Sequence, residues 1–411
     1  MVNVKVLTLS AGVLALLDPA VAVSGGGAVS DRVSDGVSDR VSGAVSERDS
    51  SRVSDELCVS PGVCSPPPSL HSRGRDAVPR YQWTSSGGFC GSSSIQTILQ
   101  SFGVYLSQDV IRKAAPVAAG HGNAIEGYEI LHTNIEATLD TLGVSYNSWD
   151  WAGQPQPQGV SYLSWLKSQL ARDGGVVQFI LCKGDAHQAY APENIYDHIE
   201  PFFRLYTNHE VNDTAIYEDD YVAHGSGYSP DGEENLGYFR PLNSLLDGLE
   251  MDGNCAAAQE GWKKNEMYPC LYDQQTFGYS LTGLTCGQSV DQEQGPNFPV
   301  TLYVNNTVEP NIREGEDAVS LQGRVVVSGL KTGSTYFLYR WDGVDTFPNV
   351  ASTPAGCGHS REAVMKLYEN SEYSHKTKFV AQGDVYDFVD TALFLSSGSA
   401  RYSCVGVGAE F

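Results

Sequence analysis

The sequence predicts an α+β domain followed by a smaller all-β, sandwich-like domain. Three observations carry that expectation. Between residues 95 and 170 apolar residues recur at helical spacing. From Val176 to Cys182 they form an unbroken run suited to a buried strand. Beyond about residue 295 they alternate in short stretches separated by Gly, Pro and Asn. Helices ahead of strands point to α+β layering, and repeated short strands to two sheets closed on one core.

The first residues predict a secretory signal. Met1 to Lys5 carries one positive charge, Val6 to Leu17 is apolar but too short to span a bilayer, and Ala20-Val21-Ala22 offers small residues for cleavage. Residues 1–22 are therefore expected to be a signal peptide, and no later run is long enough for a transmembrane helix. The expected location is secreted, or lumenal within the secretory or lysosomal pathway. A four-residue repeat of the VSDR type follows from Val29 to Glu56, and then Ser65-Pro66-Pro67-Pro68. One valine per repeat buries too little surface to offset chain entropy. Residues 23–78 are expected to be a disordered repeat and Pro-rich linker, or a pro-segment.

A formal charge of −23 and a pI near 4.6 exclude an electrostatic footprint for nucleic acid or an anionic membrane. The nine cysteines are an odd number, so at least one thiol stays unpaired in an oxidising compartment. With Cys90 free, local pairing suggests Cys58 with Cys64, Cys255 with Cys270, and Cys357 with Cys404. Cys182 suits either a disulfide or a buried thiol. No C-x-x-C pair occurs, so no metal site is expected, and nothing calls for a cofactor.

Residues 79–292 hold the predicted α+β part. Ile95, Ile98, Leu99 and Phe102 form one helical stripe, with Gly103 placed as its stop. Ser107 caps a short helix through Ala115, and a longer helix is expected from about Ile125 to Leu142, ended by Gly143. Tyr162, Leu163, Trp165, Leu166 and Leu170 mark another, closed by Gly174-Gly175.

Cys90 begins the first of these helices. Unpaired N–H groups and the positive end of the macrodipole favour an anion there, which makes a thiol more acidic and nucleophilic. Gly87, Gly88 and Gly91 leave the backbone around it uncluttered. Thiol catalysis also needs an imidazole to carry protons, a group to orient that ring, and donors for the oxyanion. His198 is the candidate base, with His121, His132, His187 and His209 as alternatives. Asp220 is the candidate orienting group, with Asp219 or His224 as alternatives. Gln82 is the candidate oxyanion donor beside the Cys90 N–H.

The segment containing Tyr81, Gln82, Trp83, Ser86, Gly88, Phe89, Cys90 and Gly91, with Ser107, Gln108, Ile111, Arg112 and the later Tyr196-Asp197-His198, resembles secreted papain-like cysteine peptidases of the peptidase C39-like family. The resemblance spans roughly residues 81–290. It implies a papain-like fold, a polypeptide substrate, Cys90 as nucleophile, His198 as general base and Gln82 as oxyanion donor. Gln82 lies further upstream of the cysteine than is usual in that family. The alternatives are a catalytically inactive secreted or surface binding protein on the same scaffold, or a thiol acyltransferase.

Residues 293–411 hold the predicted β-sandwich-like domain. Candidate strands are PVTLYVNN, GRVVVSGL, STYFLYRW, KTKFVAQG and ALFLSS. The segment from Val327 to Tyr339 resembles the fibronectin type III pattern in which a Leu packs over a later core Tyr. Such a domain is expected to meet a surface or glycan partner. Asn212-Asp213-Thr214 and Asn305-Asn306-Thr307 are sequons.

Overall fold

A computed structural model describes residues 68–82, 88–116, 129–130, 134–150, 153–155, 158–181, 197–225, 237–245, 278–290, 296–304, 320–348, 360–395 and 398–407. The signal peptide, the repeat, most of the linker, His121, His132, His187, the second sequon and six of the nine cysteines (58, 64, 182, 255, 270 and 357) lie outside the described residues.

The elements in order are β1 (His71–Gly74), α1 (Cys90–Gln100), β2 (Val104–Leu106), α2 (Gln108–Ala114), α3 (Ile135–Thr141), β3 (Val144–Ser148), α4 (Gly159–Ala171), β4 (Gly175–Leu181), β5 (Asp197–Thr207), β6 (Tyr221–Gly225) and β7 (Gly237–Pro241). Then come β8 (Gly278–Leu284), β9 (Asn297–Phe298), β10 (Val300–Val304), β11 (Ser320–Ser328), β12 (Thr335–Asp342), α5 (Arg361–Asn370), β13 (His375–Val380), β14 (Val385–Leu395) and β15 (Ser399–Val407). Helices and antiparallel sheets are mixed, with more strand than helix, so the chain is α+β.

The helices follow their sequence signals. Ser107 caps α2 by accepting from the Val110 N–H at 3.2 Å. Gly103 and Gly143 adopt positive φ just past α1 and α3. The predicted helix from 125 to 142 appears among the described residues as α3 alone, from Ile135.

A seven-stranded antiparallel sheet runs β3-β8-β4-β5-β6-β7, with β1 also on β5. Val176 and Val177 are successive residues of β4 and so point to opposite faces. Val177 packs with Ile95, Ile98, Leu99 and Ile199 under α1, whereas Val176 packs with Tyr162, Leu163, Leu166 and Phe202 under α4. The sheet is thus covered on one face by α1 and on the other by α4.

The remaining strands make a two-sheet arrangement. A three-stranded sheet β10-β11-β14 shares a core with a five-stranded sheet made of β13-β12-β15-β2 and of β9, which pairs with β15. Leu330 and Tyr336 both lie in that core, and the Tyr336 hydroxyl accepts from the Lys331 N–H at 2.7 Å.

The expected boundary at 292–293 does not separate two cores. β15 pairs with β2, register Ser399 with Leu106, so a strand next to α1 completes the C-terminal sheet. Tyr339, Trp341, Leu367 and Tyr368 pack in the same apolar cluster as Ile95 and Leu99. The β2 segment is only three residues long, too short to announce itself by alternation.

The disulfide expectation also needs correction. Cys404 is a free thiol with its side chain fully buried, so the Cys357–Cys404 pair is not formed. It sits in β15 opposite Leu338, inside the sandwich core. Cys286 is disulfide-bonded, and Cys90 is not.

Candidate active site

Cys90 is the first residue of α1, preceded at the cap position by Phe89. Phe89 makes no side-chain cap bond and the helix's own first turn holds no acidic residue. Cys90 is not disulfide-bonded and is 7% exposed. The serines that follow tie off their hydroxyls on backbone carbonyls. Ser92 donates to Phe89 at 2.9 Å, Ser93 to Cys90 at 3.0 Å, and Ser94 to Ile199 at 2.9 Å.

The turn into the helix needs its glycines. Gly88 has φ +64, and a Cβ there would lie 2.5 Å from the Glu129 carboxyl. A Cβ on Gly91 would lie 2.6 Å from that of Ile130. Asn134 fixes this neighbouring segment by donating from Nδ2 to the Glu129 carbonyl at 2.7 Å and to that of Pro116 at 3.1 Å. From α2, the Arg112 guanidinium lies over the Phe89 ring, 4.0 Å from its centroid.

Gln82 is buried at 4% exposure, and its Nε2 makes no hydrogen bond. The chain leading to it runs beside α1. The Arg80 N–H donates to Thr97 Oγ1 at 3.1 Å, and the Tyr81 carbonyl accepts from Gln108 Nε2 at 2.5 Å. Gln108 Nε2 also meets Gln96 Oε1 at 3.2 Å, and Gln96 Nε2 reaches the Leu106 carbonyl at 2.7 Å. A buried amide without a partner costs about 1–3 kcal/mol. Such a donor is what an oxyanion site requires.

His198 is the second residue of β5, its backbone paired with Ile180 of β4. The next residue, Ile199, is the one bonded to Ser94, and its side chain packs in the cluster that contains Cys90. The start of β5 therefore abuts the first turns of α1.

Asp220 is elsewhere, and this is a correction. Tyr206 pairs with Tyr221, so Asp220 lies beside Thr207 at the far end of β5. At about 3.3 Å per residue that is roughly 30 Å along the strand from His198. Asp220 instead accepts from Lys167 Nζ at 2.7 Å, with both side chains fully buried, and from the Tyr217 N–H at 3.0 Å. The alternatives Asp219 and His209 pair with each other at the same end, 2.9 Å apart, with the imidazole stacked on Tyr217.

The chain matches no protein-family model and no curated protein. His224, the remaining alternative, holds Glu200 through Nδ1 at 3.0 Å, both groups being buried. Its ring stacks on Phe202, which belongs to the core under α4, so this pair occupies the sheet face away from Cys90. Glu200 was not singled out in the sequence; only its place two residues after His198 in a strand marked it. Arg112 was named only among the residues that carry the family resemblance, and nothing in the sequence put its charge at Phe89. Among the described residues no group of His, Cys, Asp and Glu is arranged to hold a metal ion.

Proposed function

We propose that the chain is a secreted cysteine peptidase of papain-like architecture acting on polypeptides. Cys90 is the nucleophile, His198 the general base and Gln82 an oxyanion donor. The carrying observation is the setting of Cys90, which is not disulfide-bonded and opens a helix whose first turn holds no acidic residue.

In this reading the Cys90 thiolate attacks the peptide carbonyl, and a C–S bond forms as the oxyanion takes hydrogen bonds from the Cys90 N–H and the Gln82 amide. The C–N bond then breaks as the His198 imidazolium gives its proton to the leaving amine. Water, deprotonated by His198, cleaves the thioester and restores the thiol. The pairing of Asp220 with Lys167 leaves the proposal on a cysteine–histidine pair, which thiol chemistry tolerates because the nucleophile is already partly ionised. The disulfide at Cys286 supports an oxidising compartment.

The 7% exposure of Cys90 favours a second reading, an inactive binding protein on the same scaffold. Iodoacetamide separates the two. Cys90 alkylated faster than free cysteine at pH 6, with peptide hydrolysis abolished in Cys90→Ala and His198→Gln, supports the peptidase. Sluggish alkylation with no hydrolysis supports the scaffold. Hydrolysis lost in His224→Gln but kept in His198→Gln would reassign the base.

A further inference from the structure

Arg112 is an unusual group to find beside the candidate nucleophile. It is a buried cation, 5% exposed, on the short helix α2, and its guanidinium covers the ring of the residue immediately before Cys90. Burial pushes its pKa down, and the charges that push it back up are, in falling order, Glu129, Asp109 and Cys90. A cation in low dielectric beside a thiol lowers the cost of the thiolate. A carboxylate sharing that cation reduces the benefit.

Glu129 is built into the same turn. Its carboxyl fills the space a side chain at Gly88 would need, and its backbone carbonyl is held by Asn134. The segment Gly88-Phe89-Cys90 is thus shaped around these two charges. The other titratable groups on elements packed against this turn are few among the described residues. α2 adds Asp109, with Lys113 beside it, and β5 adds His198 and Glu200, the latter bound to His224. β2 and β10 contribute only Tyr105 and Tyr303.

Resting on the assignment of Cys90 as nucleophile, we propose that Arg112 is a positioning residue that favours the Cys90 thiolate, and that Glu129 tunes it by competing for the same guanidinium. The two groups act with opposite sign. A purely structural role would not produce that pattern.

The test is the pH profile of Cys90 alkylation by iodoacetamide, read by mass spectrometry on the full chain, with Cys404 labelling as the report on folding. In Arg112→Gln the rate at pH 6 falls about tenfold and the profile moves to higher pH. In Glu129→Gln the rate rises severalfold and the profile moves to lower pH. Arg112→Lys, which keeps charge but not the planar stack, falls between Arg112→Gln and the unaltered protein. Unchanged profiles in both Gln variants, with Cys90 of the unaltered protein still fast, overturn this inference alone. A slow Cys90 in the unaltered protein overturns the nucleophile assignment and this inference with it. If Arg112→Gln exposes Cys404, the sign of the Glu129→Gln shift decides.

Discussion

Ser94 Oγ donates to the Ile199 carbonyl at 2.9 Å, joining the first turns of α1 to the start of β5 across 105 positions of sequence. Ser94→Ala leaves a buried carbonyl without this donor and is expected to cost about 1–3 kcal/mol. It should also slow peptide hydrolysis more than it weakens substrate binding. Urea denaturation and a comparison of kcat with KM check the two halves.

The Lys167–Asp220 pair is fully buried, so breaking it strands a charge. Lys167→Met is expected to destabilise the fold by about 3–5 kcal/mol, and the double variant with Asp220→Leu to recover much of the loss. A double-mutant cycle by chemical denaturation measures the coupling. Hydrolysis at saturating substrate should be unchanged in any of these proteins that stays folded, since this pair stands at the other end of β5 from His198.

Burial raises the pKa of Asp109 above 3.8 despite Lys113 and Arg112 nearby, and its Oδ2 has no hydrogen bond. The folded protein therefore holds this proton more tightly than the unfolded chain. Stability from this group is greatest at low pH, declines as pH rises from 3.8 through the raised value, and stays lower above it. Asp109→Asn should remove that decline. Urea midpoints measured across pH 3.5–6.5 for both proteins, taken as their difference, report it.

Two free thiols of opposite setting give a built-in control. Burial in the sandwich core pushes the Cys404 thiol well up, whereas Cys90 opens a helix beside a cation. At pH 7.5 Cys90 should react at least ~10-fold faster than Cys404 in the native protein, and the difference should vanish in denaturant. Mass-spectrometric mapping of the alkylated peptides checks this.

The parts of the fold that were legible carried strong local signals. Ser107 with its following helix, the Tyr162–Leu170 stripe and the run from Val176 all became α2, α4 and β4. What escaped was set by partners distant in sequence. β2 and β3 are short, and their strand character comes from pairing with β15 and β8. The helix α5 was missed although Ser360 caps it and Val364, Leu367 and Tyr368 lie at helical spacing, because it is embedded among strands. At the site, the glycines and Cys90 were readable as a nucleophile's setting. Asp220 was misplaced because counting positions along the chain ignores register: a hairpin brings its far end, not its near end, into adjacency. Glu200 and Lys167 look like ordinary surface charges until each is found buried against a partner.

The pairing of β15 with β2 has a consequence for how the protein is made. Synthesis proceeds from the N-terminus, so the sheet that walls in the Cys90 helix lacks a strand until residues near Val405 have emerged. A growing chain therefore carries a thiol-bearing helix with an unfinished support for most of translation. The packing around that helix is complete only once β15 has emerged, and any chain stopped short of β15 would be left with an open hydrophobic flank for quality control to recognise.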